Sequence, residues 1–128
     1  MFLLDTCTLL WLASESSRIS PVVLEHIHNT EQLFVSAVSA LEIGIKIQKR
    51  RLSITIENID QWFAETIEQH QCTDLPITSH IAALSTQLQT IHFDPSDRIL
   101  IATAQLHDLT ILTPDENIRR YPKVKTVW

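Results

Sequence analysis

Short apolar runs alternating with longer helical patterns predict an α/β fold with a mostly parallel sheet, covered by helices on both faces. Three observations carry that prediction. The apolar runs are strand-sized and recur along the chain, whereas the segments between them repeat their apolar residues at helical spacing. Several of those segments open with helix-start residues. The length, 128 residues, suits one domain over 1–128 with no linker, repeat or low-complexity stretch.

The elements follow in order. Phe2-Leu3-Leu4 is a brief buried strand, and a short helix at Thr8–Leu12 follows it. Ser20-Pro21 reads as an N-cap with proline at the first helical position, turning Val23, Leu24 and Ile27 inward. Leu33-Phe34-Val35 is the second strand. Residues 37–50 form a strong helix, with Val38, Leu41 and Ile45 as its apolar stripe and Leu52 beyond. Ile59, Trp62, Phe63 and Ile67 mark another helix. Thr73–Leu75 is a weak third strand, and Ile81, Leu84 and Leu88 mark the next helix. Asp94-Pro95 opens a helix carrying Ile99, Leu100, Thr103 and Leu106. Leu109–Leu112 is the fourth strand and Val124–Trp128 an edge strand, making about five in all.

Composition narrows the chemistry. The lone glycine, Gly44, excludes the glycine-rich phosphate loops of nucleotide-binding proteins. A formal charge of -5 argues against nucleic-acid binding by bulk charge, so any such contact needs a local patch. Two cysteines, Cys7 and Cys72, are too few for a disulfide framework or zinc knuckle. The apolar start lacks a basic flank and is interrupted by Asp5, and no run is long enough to span a membrane. A cytoplasmic setting is the expectation.

In a parallel sheet, ligands bind beyond the carboxyl ends of the strands. Asp5 follows the first strand, Asp115 follows the fourth, and Asp97 sits in the first turn after Asp94-Pro95. Glu42 lies on a polar stripe with Ser39, Lys46 and Lys49, flanking the core-facing stripe of its helix. Each acid also has a plain structural reading. Asp5 and Asp94 are good helix caps. Thr113-Pro114-Asp115-Glu116 has capping-box spacing, and Glu42–Lys46 is an ordinary helix pair. Together, several carboxylates at one sheet end repel unless a hard cation holds them, and Mg²⁺ suits such ligands. A metal held this way supports phosphodiester hydrolysis by acidifying a water and steadying charge on the leaving oxygen.

These segments carry a resemblance that spans nearly the whole chain. Leu3-Leu4-Asp5-Thr6 with Leu9-Leu10-Trp11, then Ser36–Ile43 with Lys46, then Asp94-Pro95-Ser96-Asp97-Arg98 through Ala104, and Leu112-Thr113-Pro114-Asp115 stand in family order. The sequence resembles the PIN-domain ribonucleases, and closely the VapC-like toxins of toxin–antitoxin modules. The resemblance implies a PIN-like three-layer α/β/α sandwich. It implies that Asp5, Glu42, Asp97 and Asp115 bind Mg²⁺ or Mn²⁺. Thr6 and Thr113 match hydroxyls beside that site, Asp94 a loop support, and Arg98 a buttress or a phosphate contact. It further implies an endoribonuclease leaving 5′-phosphate and 3′-hydroxyl ends, working as a homodimer and silenced by an antitoxin protein. Ser96 stands where many relatives carry an aromatic residue.

Lys46, Lys49, Arg50 and Arg51 form a basic cluster that reads either as an RNA-backbone contact or as a solvated helix end. Of six histidines none has ligand spacing; His92, nearest the acids, reads as structural, as does Cys7. Trp11, Trp62 and Trp128 read as core anchors, or Trp11 and Trp62 as partner contacts. A metal-dependent endoribonuclease toxin is the expected function. A catalytically degenerate interaction module is the alternative, and an aspartyl-phosphate phosphatase lacks the second acid, Cys7 standing at that position.

Overall fold

The computed structural model describes residues 1–128. Strands β1 (Phe2–Leu4), β2 (Leu33–Ser36), β3 (Cys72–Leu75), β4 (Thr110–Leu112) and β5 (Thr126–Val127) form one sheet in the order β3-β2-β1-β4-β5. Every pairing is parallel, with Leu3 opposite Phe34 on one side and Ile111 on the other. The helices are α1 (Thr6–Ser14), α2 (Pro21–Asn29), α3 (Ala37–Gln48), α4 (Ile59–Gln69), α5 (Ser79–Gln87), α6 (Pro95–His107) and α7 (Glu116–Arg119).

Alternation along the strands splits the interior into two cores, because successive side chains leave opposite faces of a sheet. Leu4, Val35 and Leu112 pack with Leu9 of α1, Val23 of α2, Ile43 of α3 and Phe63 of α4. Leu3 and Ile111 pack on the opposite face with Leu100, Ile101 and Ala104 of α6 and Ile118 of α7. The three-layer α/β/α sandwich expected from the sequence is therefore the observed architecture.

Three expectations need correction. The first helix begins at Thr6 and reaches Ser14, because Asp5 caps it directly and satisfies the Thr8 N–H. The edge strand is only Thr126–Val127, as it pairs on one side alone. Helix α3 is turned from its expected orientation. Val38, Ser39 and Ile43 are buried, while Leu41 is 57% and Ile45 39% exposed. Ser39 takes an inward position because it finds a buried hydroxyl partner in Thr6, 3.0 Å away, with Glu42 and Lys46 half-buried beyond it and Lys49 exposed. Leu41 and Ile45 instead line an open apolar groove of about 700 Å³ between α3 and α4, with Ile59, Phe63 and Ile67 opposite.

With one glycine in the chain, left-handed turn positions fall to Arg50, Gln71, Asp108 and Lys123, all at positive φ. Asp108 closes α6 in this way and turns the chain into β4.

Candidate active site

The site is built where β1, β2 and β4 hand over to helices. Asp5 leaves β1 and caps α1, its Oδ1 accepting the Thr8 N–H at 2.8 Å. Its Oδ2 accepts the Thr113 hydroxyl, and Cys7 Sγ lies 3.4 Å from both oxygens. Asp5 is only 3% exposed, and burial lifts its carboxyl above the usual range although these donors oppose the shift. Thr113 also accepts the Asp115 N–H at 3.0 Å, so one buried hydroxyl ties two of the acids together. Asp115, rather than Thr113, is the cap of α7, accepting the Asn117 N–H at 2.8 Å. That replaces the Thr113–Glu116 capping box expected from spacing: Thr113 is spent on Asp5.

Glu42 comes from α3. Thr6 donates to its Oε1 at 2.8 Å, and Lys46 Nζ lies 4.0 Å from Oε2. Burial still holds the Glu42 carboxyl above its ordinary value. Asp97 sits in the first turn of α6, below Asp94, which caps that helix by accepting the Ser96 and Asp97 N–H groups. The Asp97 carboxyl is pushed up to about 7, by burial first and then by the charges of Asp94, Asp115, Glu42 and Asp5. The charges of the other acids therefore act on this one carboxyl, and three of them, Asp5, Asp94 and Asp115, are also helix caps.

Arg98 does not meet this site. Its guanidinium is buried and donates to the carbonyls of Ser85, Leu88, Gln89 and His92 and to the Tyr121 hydroxyl, at 2.9 to 3.3 Å. It buttresses the α5–α6 loop, with most of its donors spent on that loop's carbonyls. The basic cluster divides. Lys46 and Arg51 line a cleft beside Cys7 with Trp11, Ser14 and Arg18, the Arg18 guanidinium lying 4.4 Å over the Trp11 ring. Lys49 and Arg50 are exposed at the end of α3 and lie outside that cleft. Trp11 also packs on Trp128, with ring centroids 5.7 Å apart.

The residue that sequence reasoning undervalued is His92. Its Nε2 lies 3.1 Å from Asp97 Oδ2, and the ligating atoms of His92, Asp94 and Asp97 all fall within 4.8 Å of one another. Its one sequence signal was position, two residues before Asp94 in a stretch without periodicity.

A parallel sheet that gathers carboxylates beyond its strand ends, Asp5 and Asp115 as helix caps, Glu42 against the Thr6 hydroxyl and Asp97 against His92, defines an α/β protein with an acidic, oxygen-rich mouth. The acid charges that raise the Asp97 and Glu42 carboxyls are what a divalent cation would relieve, and the oxygen donors fit Mg²⁺ or Mn²⁺. The comparisons agree with that class. The PIN domain model matches residues 2–124. Ribonuclease VapC22 of Mycobacterium tuberculosis (strain ATCC 25618 / H37Rv) is 30% identical over 129 residues, covering 98% of this chain and 97% of that one. The chain belongs to the PIN-domain family and is VapC-like within it. Among solved structures, DNA-bound VapBC from Salmonella typhimurium aligns at a TM-score of 0.72 with 18% identity, over 98% of this chain and 96% of that one. VapBC2 from Rickettsia felis, bound to a promoter DNA fragment, gives 0.71 and 13%, over 99% and 98%. FitAcB from Neisseria gonorrhoeae gives 0.66 and 22%, over 100% and 97%. At these identities the structures speak for the fold.

Proposed function

We propose that the chain, one domain over 1–128, is a divalent-metal-dependent endoribonuclease, the toxin of a toxin–antitoxin pair acting on RNA in the cytoplasm. The observation that carries this reading is the set of acids around buried Asp97, whose carboxyl is pushed up to about 7 by burial first and then by the charges of Asp94, Asp115, Glu42 and Asp5. Its similarity to a ribonuclease over nearly the whole chain supports nuclease activity, and its likeness in fold to toxin–antitoxin complexes supports an antitoxin partner.

Asp5, Glu42, Asp97 and Asp115 are the residues that would hold Mg²⁺ or Mn²⁺. Bound there, such an ion would supply positive charge for the scissile phosphate and would lower the pKa of a bound water. The protein's part is to aim the oxygens beforehand. Thr113 orients Asp5, and Thr6 orients Glu42, each from a buried position. Asp94 fixes the first turn of α6 and adds its charge at the rim. Lys46, 4.0 Å from Glu42, and Arg51, in the same cleft beside Cys7, would meet the RNA backbone, which answers the objection from net charge. A homodimer is the expected assembly.

The degenerate-module alternative would need a broken site, and all four acids are present. Incubating purified protein with RNA in Mg²⁺ or Mn²⁺, with and without chelator, tests the reading. Cleavage that chelator stops supports it; cleavage that chelator leaves untouched, or none with either metal, refutes it.

A further inference from the structure

His92 is held more tightly than a surface loop residue needs to be. The hydroxyl of Tyr121, from the turn after α7, accepts the His92 N–H at 3.1 Å and donates to the His92 carbonyl at 2.6 Å. Arg98 donates to the same carbonyl at 3.2 Å and to the Tyr121 hydroxyl at 3.3 Å. Tyr121 is 4% and Arg98 8% exposed. Burying a guanidinium is costly unless its donors are met. Here they are met by carbonyls of residues 85–92, so the cost of burial also immobilises the segment that carries His92. The result is a backbone clamped from two sides and a ring whose Nε2 reaches Asp97 Oδ2. With a cation bound, Asp97 is ionised and has no proton to give, so Nε2–H would be the donor in that state.

We propose that His92 is a positioning residue of the metal centre, with Nε2–H fixing one oxygen of Asp97 so that the carboxylate is aimed at the cation, and with Tyr121 and Arg98 as the latch that presents it. The proposal rests on the metal-dependent reading above. Outer-shell hydrogen bonds of this kind set ligand orientation, and their loss typically weakens metal binding about 10–100-fold. A direct His92–metal bond is the competing geometry. It differs in what can replace the ring: an amide N–H at the reach of Nε2 can donate to Asp97, but does not match an imidazole nitrogen as a ligand.

The test is Mn²⁺ titration by calorimetry on the purified full chain, with melting in chelator as the control for folding. His92→Gln places an amide near the reach of Nε2, whereas His92→Asn is polar but too short. The expected result is Mn²⁺ binding weakened about 10–100-fold in His92→Asn, retained within about threefold in His92→Gln, and weakened to an intermediate degree in Tyr121→Phe. Equal binding in His92→Asn and the native protein would overturn the positioning role while leaving the metal site standing. Binding lost equally in His92→Asn and His92→Gln would overturn it in favour of direct ligation. No Mn²⁺ binding by the native protein would bring down the metal-dependent reading itself, and this inference with it.

Discussion

Replacing Asp97 by asparagine should make the metal-free protein more stable above neutral pH, and should do nothing to it in acid. The carboxyl moves from 3.8 in the ordinary state to about 7 in the fold. A carboxyl raised by folding lends stability that is complete below about pH 4 and is lost as the pH climbs through about 7. Asparagine has the same shape and does not titrate. At about 1.36 kcal/mol per pKa unit the full difference would be roughly 4 kcal/mol. The site opens to water at its mouth, and screening there leaves about 1–2 kcal/mol. For a chain of this length that is a rise in Tm of about 5 °C. Melting curves of both proteins in chelator, at pH 4 and pH 8, read the effect directly. A variant less stable than the native protein at pH 8, or equally stabilised at both pH values, would refute the electrostatic account of Asp97. Added Mg²⁺ or Mn²⁺ should reverse the order at pH 8, because a ligand for the native fold stabilises only the protein that binds it.

Other expectations follow from single contacts. Thr113→Val keeps the shape but strips Asp5 and the Asp115 N–H of a partner, and should cost about 1–3 kcal/mol in urea denaturation. Arg98→Lys keeps the charge but loses the fork that spans the carbonyls of residues 85–92. Hydrogen exchange should then show that segment opening at least tenfold more often, while β1 and β4 stay protected. Gly44→Ala should stabilise the chain by about 0.5–1 kcal/mol, since Gly44 lies inside α3 and a Cβ there meets nothing within 4 Å.

Much of this architecture is legible in the residues. β1 and β2 are visible as the isolated apolar runs Phe2-Leu3-Leu4 and Leu33-Phe34-Val35, and α2 and α6 as Ser20-Pro21 and Asp94-Pro95 starts, because caps and strand runs are local signals. The acids are legible as a set because each lies at a strand exit or in a first helical turn. The rotation of α3 is not legible. Ser39 is buried only because Thr6 stands opposite, across 33 residues of sequence, and no hydropathy pattern contains that partner. Arg98 is a similar case. From spacing it can be a phosphate contact or a buttress, and only the distant Tyr121 hydroxyl and the loop carbonyls decide. His92 escaped for the same reason: its place against Asp97 is set by a clamp whose parts lie up to 29 residues away.

The most direct test of the central claim exploits the double role of the acids. Asn caps a helix as well as Asp does, so Asp5→Asn and Asp115→Asn preserve the bonds to Thr8 and Asn117 while removing the charge. RNA cleavage should be measured at one Mg²⁺ concentration for these two variants, for Asp97→Asn and for Glu42→Gln, each with its melting temperature. The account predicts that all four fold and that each loses cleavage by at least about 100-fold, the scale expected when metal ligation or transition-state charge stabilisation is removed. Native-like cleavage by folded Asp5→Asn and Asp97→Asn would show that these acids serve the fold and not the reaction.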